Sequence, residues 1–313
     1  MKIIIASSTA AFVVLASSAA HANSGLPSNL SVLPVEQSVL DTIARELPEQ
    51  SAIGNDFLQS EFSPNLYFSE DAMVSVSFIS EGAGYRNSVG YFSYESDAFD
   101  GFTFSSIDTD SSGIISVSEL NALSGVTAAE FIFPNTSALG SGGLLQAGDT
   151  TVIGGGSVSV GLDGELDFSG GTVFETGSNL GFFLSANAWN GSGINGVDNS
   201  LDPNTFYSLD FLNPEAGPLA TINDDVLDAR HVALLEVQET GDVILGFEDL
   251  LRYEGDNDFN DAVFIVNASP ATAIADSPIV QVSAAPGPGV GVVSGFFAVL
   301  AFFGAQRRAI ADC

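Results

Sequence analysis

The sequence predicts an all-β protein: an antiparallel β-sandwich, jelly-roll-like, with one or two short helices. Three observations carry that expectation. Apolar residues alternate with a period of two over about nine or ten short runs, the runs are joined by Gly, Asn, Asp and Ser, and helical periodicity is scarce. An N-terminal signal peptide and a C-terminal hydrophobic helix frame the predicted domain.

Residues 1–22, MKIIIASSTAAFVVLASSAAHA, combine a cationic start, an apolar stretch and an Ala20-His21-Ala22 cleavage site, which reads as a secretory signal. NSGLPSNLSV (23–32) reads as a linker, and residues 33–267 as the sandwich domain. Pro34 can sit at the first position of a helix whose stripe is Val35, Val39, Leu40, Ile43 and Leu47, ending before Pro48. Period-two runs follow at 72–80 and 88–94, and the intervening EGAGYRN, with Gly82 and Gly84, predicts a hairpin-type connection. Further strands are expected at 130–134, 150–154, 157–162, 180–189, 231–237, 242–247 and 261–266, with GLDGELDFSGG (161–171) as a hairpin tip. Residues 268–289, rich in Ala, Ser and Pro, read as a stalk. The apolar run 290–305 and Arg307 and Arg308 form a membrane or sorting segment (290–308) with a basic flank. At 16 residues the run reaches roughly 24 Å as a helix, against about 30 Å of hydrocarbon core, so it is a marginal span.

Charge narrows the function. Between the hydrophobic ends lie four arginines, no lysine and 38 of the 39 acidic residues, a formal net charge of −34. Such a surface repels nucleic acid and anionic membranes. The single cysteine, Cys313, offers no disulfide, and His231 is the only histidine outside the signal. That excludes His-rich zinc or copper sites and Cys-His catalysis, and leaves a hydrolytic triad one available base. A carboxylate-rich chain without thiolates is suited to hard cations bound through oxygen, above all Ca2+.

The sharpest motif is DTDSSGIISVSE (108–119), which matches the twelve-residue EF-hand calcium loop at its diagnostic offsets. Asp108, Asp110 and Ser112 stand at positions one, three and five, Gly113 at the sharp turn, and Ile115 at position eight. The Ile114 carbonyl offers a backbone oxygen, and Glu119 offers two carboxylate oxygens. Ser116 and Glu119 also form a capping box for an exiting helix, SVSELNAL. The preceding DAFDGFTFSSI carries no clear helical stripe, so the usual entering helix is not expected. The bland alternative is an Asp-Ser-Gly turn.

A second acidic cluster lies in GFEDLLRYEGDNDFNDAVFIV (246–266). Glu248 and Asp249 end one expected strand; Asp256, Asp258, Asn260 and Asp261 precede the next, and antiparallel pairing would bring the two groups together. Like charges a few ångströms apart repel by a few kcal/mol at an effective dielectric near 20. Salt, raised pKa values or a bound cation must relieve that. Alternating Asn and Asp favours calcium over a merely exposed acidic loop. Similar compositions recur at Asp198, Asn199, Asp202 and Asn204 and at Asp224, Asp225 and Asp228. Carboxylate pairs also serve glycoside hydrolysis, but these acids cluster on loops. His231, at the start of a strand, reads as a surface or satisfied core imidazole rather than a catalytic one, and the lone Trp189, which could stack on a sugar, reads as core packing.

Several phrases together resemble the secreted bacterial domain of unknown function 4114. They are LPE (47–49), SVSFISEGAGYRNSVGYF (75–92), FPN (133–135), GSGG (140–143), GFFLSANAWNG (181–191), HVALLEV (231–237) and ILGFEDLLRYEGDNDFNDAVFIV (244–266). The resemblance spans roughly residues 40–267 and implies a β-rich extracellular module of surface or matrix proteins, with no established activity. The EF-hand-like loop and the segment around 154–175 depart from that pattern. The tail resembles a PEP-CTERM sorting signal, with Ala285-Pro286-Gly287-Pro288 in place of the usual glutamate-containing motif, and implies a sorting or processing enzyme as partner. The expected protein is exported, directed to the cell surface and anchored at least transiently by its tail. Its expected role is calcium-binding, structural or adhesive, and non-catalytic, with extracellular polysaccharide or surface proteins as candidate partners. A calcium-dependent carbohydrate-binding module is the alternative, ahead of a carboxylate-dependent glycoside hydrolase.

Overall fold

The computed structural model of the chain describes residues 25–54, 57, 62–191, 204–220 and 229–285. The signal peptide, the segment 290–308 and the acidic residues Asp198, Asn199, Asp202, Asp224, Asp225 and Asp228 lie outside the described residues. In chain order the elements are β1 (Ser31–Val32), α1 (Gln37–Glu46), β2 (Leu66–Tyr67), β3 (Met73–Ser80), β4 (Ser88–Glu95), α2 (Phe104–Ile107), α3 (Val117–Asn121), β5 (Val126–Phe133) and β6 (Asp149–Val152). There follow β7 (Ser157–Val160), β8 (Leu166–Ser169), β9 (Ser178–Ser185), β10 (Thr205–Tyr207), β11 (Val232–Val237), β12 (Val243–Phe247), β13 (Ala262–Ser269) and β14 (Val280–Val282).

The chain is mostly β and forms several sheets. A seven-stranded sheet has the order β1-β6-β3-β13-β12-β11-β14, a second has β10-β9-β4-β5 with β2 also on β9, and β7 and β8 make a separate hairpin. All pairings are antiparallel except β11 with β14.

Strand periodicity sorts side chains onto two faces. On β13, Phe264 and Val266 join one apolar cluster while Val263 and Ile265 join another; on β12, Leu245 and Phe247 oppose Ile244 in the same way. The first cluster also takes Val89 and Tyr91 of β4 and Phe182 and Leu184 of β9, so the two larger sheets share it. Aromatic rings join them directly: Phe264 stacks on Phe133 of β5 at 5.2 Å and meets Phe78 and Phe247 edge-on. On the outer face of the seven-stranded sheet, α1 buries Val39, Ile43 and Leu47. On the outer face of the other sheet, Phe92, Tyr94, Phe183 and Tyr207 are covered by Phe104, Ile107, Ile115 and Leu120 from α2, α3 and the loop between them. Central strands buried on both faces explain near-continuous apolar runs such as AVFIV.

Several boundaries differ from expectation. β3 and β4 belong to different sheets, so the connection through Gly82 and Gly84 crosses between sheets and is no hairpin. Period-two alternation reports which face is buried and is silent on the pairing partner. The expected linker joins the fold: Ser31 pairs with Thr150, and Leu26 and Leu30 pack on the main cluster. The expected stalk is also structured as far as Ala285. Its Val280 pairs with Leu235, and Ile279 and Val280 are buried, since β11 would otherwise leave an open edge. Helix α1 starts at Gln37 with Glu36 as its N-cap, after Pro34 rather than at it.

Phe264→Ala, which removes the ring joining the two sheets, should destabilise the protein by about 3–5 kcal/mol in urea unfolding, whereas Val160→Ala, on an exposed hairpin position, should stay within about 0.5 kcal/mol.

Candidate metal centre

The loop 108–119 is assembled by local forces. A short entering helix exists after all: α2 ends in Asp108, whose N–H donates to the Phe104 carbonyl at 2.9 Å, and buried Phe104 and Ile107 anchor it despite the weak stripe. Gly113 takes φ +82°, the left-handed conformation the sharp turn requires. Ser116 caps α3, its hydroxyl accepting from the Glu119 N–H, while Glu119 Oε2 accepts from the Ser116 N–H at 2.9 Å. The helix stops at Asn121, shorter than SVSELNAL. Ile115 is fully buried, and its carbonyl accepts from the Tyr207 hydroxyl at 2.6 Å.

Carboxylate oxygens of Asp108, Asp110 and Glu119 lie within 4.8 Å of one another. Each already has protein donors. Asp108 accepts from the N–H groups of Ser112 and Gly113, both at 3.0 Å, and Asp110 from the Ser112 N–H at 2.9 Å. Glu119 Oε1 accepts from the Thr109 N–H and hydroxyl. The Ser112 hydroxyl donates to the Ile114 carbonyl at 2.9 Å. Burial pushes the Glu119 carboxyl up, but hydrogen bonds from Ser116 and Thr109 outweigh it and hold it below the usual range. Hydrogen bonds from Ser112 do the same for exposed Asp110. The loop can hold a cation, and its acids are also satisfied by the loop itself.

The cluster at 248–261 has a different electrostatic state. β12 and β13 are antiparallel neighbours in register Phe247↔Ala262, so Glu248 and Asp249 do meet the acids that precede β13. Oxygens of Glu248, Asp256 and Asp258 lie within 4.8 Å of one another. Glu248 is 1% exposed, and its Oε2 is buried with no hydrogen-bond partner among the described residues. Burial, then Asp256, Asp249 and Asp258, push its carboxyl up to about 8, with Arg252 only partly offsetting them. Asp258, also buried, accepts from the Gln50 N–H at 2.8 Å and the Asn260 N–H at 3.2 Å.

The remaining residues of the expected set divide off. Asp249 accepts from the Asn87 amide at 2.6 Å, and its N–H donates to Asp261 at 2.7 Å. Burial and then Asp249 push Asp261 up to about 8; burial pushes Asp249 up to about 6 despite Asn87. Asn260 turns toward the β3–β4 connection, where its carbonyl accepts from Gly82. Two glycines are required by close approach. A Cβ on Gly255 would lie 2.2 Å from Glu248 Oε1, and one on Gly82 2.2 Å from Asn260 Oδ1. Glu248, Asp249, Asp256 and Asp261 line a cleft of about 450 Å³ with Gly82, Gly84 and Tyr85.

Residues 174–269 match the family model of the domain of unknown function DUF4114. No curated protein and no solved structure matches the chain. The DUF4114 match begins at Phe174, so it takes in β9 to β13 and every acid of the 248–261 cluster. The earlier phrases at 47–49, 75–92, 133–135 and 140–143 and the loop 108–119 fall outside it. Sequence reasoning missed the partners that close the cluster from elsewhere: Gln50, Gly82 and Asn87. The only signal for them was their presence in the phrases LPE-Gln50 and GAGYRN. It also missed Glu215, which is fully buried and meets His231 Nε2 at 3.0 Å, while His231 Nδ1 faces the Glu248 carbonyl at 3.2 Å and its ring stacks on Phe206. Trp189 is a core residue, as expected, and of the surface and core positions open to His231 the structure shows the core one.

Three carboxylates within 4.8 Å of one another, one of them buried with an unpartnered oxygen, fit a hard, oxygen-bound cation. Between two carboxylates at such separations the repulsion is on the order of 3–4 kcal/mol at a dielectric near 20, and a divalent ion removes it. Without cation, Glu248 and Asp261 hold protons in the folded state that the unfolded chain releases, so the stability these two groups contribute is full below the ordinary carboxylate range and is lost as pH rises toward 8. In chelator, the melting temperature should therefore fall between pH 5 and pH 8. Glu248→Gln should flatten that fall and raise stability at pH 8 by on the order of 1 kcal/mol. An unchanged pH slope in the variant would show that Glu248 does not carry the effect.

Proposed function

We propose that the chain is an exported, surface-directed calcium-binding protein with a structural or adhesive role in the extracellular matrix, built as a β-sandwich around the cluster the two sheets share. The observation that carries this reading is Glu248: one of its oxygens is buried without a hydrogen-bond partner among the described residues, and its carboxylate lies beside those of Asp256 and Asp258. Calcium suits these donors because it accepts six to eight oxygens in irregular geometry, whereas magnesium demands a near-ideal octahedron. The loop 108–119 supplies a second site through Asp108, Asp110, Ser112, Ile114 and Glu119. The signal-like segment 1–22 and the sorting-like segment 290–308 support export and a processing enzyme as partner.

A non-catalytic role is favoured by the grouping: oxygens of three carboxylates, and not of an isolated pair, lie within 4.8 Å of one another, as the ligands of one cation do. Calcium here neutralises a charge cluster that Arg252 offsets only in part, and it ties β12, β13 and the loop between them together.

Millimolar calcium should raise the melting temperature of the purified protein. One ion at about a hundred times its Kd adds about 2.7 kcal/mol, or roughly 5–10 °C for a domain of this size. Glu248→Gln should remove the larger part of the shift, and Asp108→Ala with Glu119→Gln the smaller part, because the latter loop is already satisfied by its own donors. Identical melting curves in calcium and in chelator would overturn the reading.

A further inference from the structure

We propose that the calcium ion held by Glu248, Asp256 and Asp258 is a recognition site for a neutral saccharide, bound through a pair of adjacent hydroxyl groups; this rests on the calcium reading above. The site differs from the loop 108–119 in its opening. Glu248 and Asp256 line one side of a cleft of about 450 Å³, within the size range of small-molecule sites. Asp258, buried and bonded to two backbone N–H groups, closes it from within.

The donor count leaves room for a ligand. Each oxygen of Asp258 is shared with an N–H, so three carboxylates bring about three to five of the six to eight oxygens that calcium takes. Glu248 and Asp256 line the cleft, so a ligand seated there can supply the rest. Two adjacent hydroxyls of a sugar ring supply two neutral oxygens with one set of rotational constraints, and they displace two waters.

Charge selects the class of sugar. A divalent ion leaves the three carboxylates one negative charge in excess, and Asp249, Asp261 and Glu254 stand around the same cleft. A uronate or sulfated polymer brings further negative charge into that field, whereas a neutral hexose does not. The rim suits a sugar ring as well. Gly84 has open space where a side chain would stand, and Tyr85, on the same rim, is 43% exposed, with a flat apolar face for the C–H side of a pyranose.

The test uses the purified protein and immobilised polysaccharides: neutral mannan, galactan and glucan, and the uronate polymers alginate and polygalacturonate. Retention on at least one neutral polymer is expected in millimolar calcium, falling at least tenfold in chelator and in Glu248→Gln. Tyr85→Ala should weaken retention several-fold while keeping the full calcium-induced melting shift. Several results overturn the proposal: no retention on any neutral polymer, retention that ignores chelator, binding confined to the uronate polymers, or unchanged retention in Tyr85→Ala. A calcium-induced melting shift without polysaccharide retention refutes the saccharide site and leaves the calcium reading standing; absence of both refutes the two together.

Discussion

The burial of Glu248 beside Asp256 and Asp258 organises the end of the molecule where β12 turns into β13. A carboxylate is withdrawn from water only when something else holds it there. Here the anchor is Phe259, which is fully buried in the cluster under α1 and carries the Arg252 guanidinium 4.8 Å above its ring. Burying such a ring contributes about 1.5–3 kcal/mol. Asn257 and Phe259 both take positive φ, so the backbone doubles back and sets Asp258 inward beside the anchored ring. The tail of α1 then clamps the loop, with the Gln50 N–H on Asp258 and the Ile53 N–H on the Asn257 carbonyl. Apolar packing thus holds in place an arrangement that electrostatics alone would push apart.

The countercharge is not supplied from within. Arg45 pairs with Glu46 and Arg230 with Asp210, while Arg252 directs its guanidinium to the Arg230 carbonyl and the Phe259 ring. The two acidic sites solve this differently. In the loop 108–119, backbone N–H groups and hydroxyls converge on Asp108, Asp110 and Glu119, and hydrogen bonds hold the last two carboxyls low. In the cluster at 248–258 burial and the neighbouring acids prevail, and Arg252 offsets them only in part, so the Glu248 carboxyl is pushed up to about 8. The motif that matches a known calcium loop best is therefore the one less in need of an ion.

The strands and the pairing of β12 with β13 were legible because period-two alternation and a short acidic turn report local geometry directly. The offsets of 108–119 were legible for the same reason, since Gly113, Ser116 and Glu119 act within one turn. What could not be read were facts fixed by distant chain segments. The glycines of EGAGYRN look like a hairpin, yet Gly82 is there because Asn260 lies against it, a contact across some 180 positions. The five acids and one asparagine of the second cluster read as one ligand set, whereas Asp249 accepts from Asn87 and bonds Asp261 through its N–H, beside the closer group of Glu248, Asp256 and Asp258. Composition likewise misjudged 23–32 and 268–285, whose small polar residues surround a few apolar ones that the sheet edges need.

The segment 207–218 joins the two acidic sites mechanically. Tyr207 bonds the Ile115 carbonyl at the end of the calcium-type loop, Gly217 lies against the Phe104 ring, and Pro218 stands beside Gly113. From the same segment Glu215 meets His231 and accepts from the Arg252 N–H, and His231 in turn faces the Glu248 carbonyl. Burial pushes the Glu215 carboxyl up, but His231 and the Arg252 N–H outweigh it and hold it below the usual carboxylate range. Sites that share packing partners do not contribute independently to stability. Ordering of the loop at 108–119 fixes Tyr207 and Gly217, and with them the support on which His231 and the backbone of Glu248 rest.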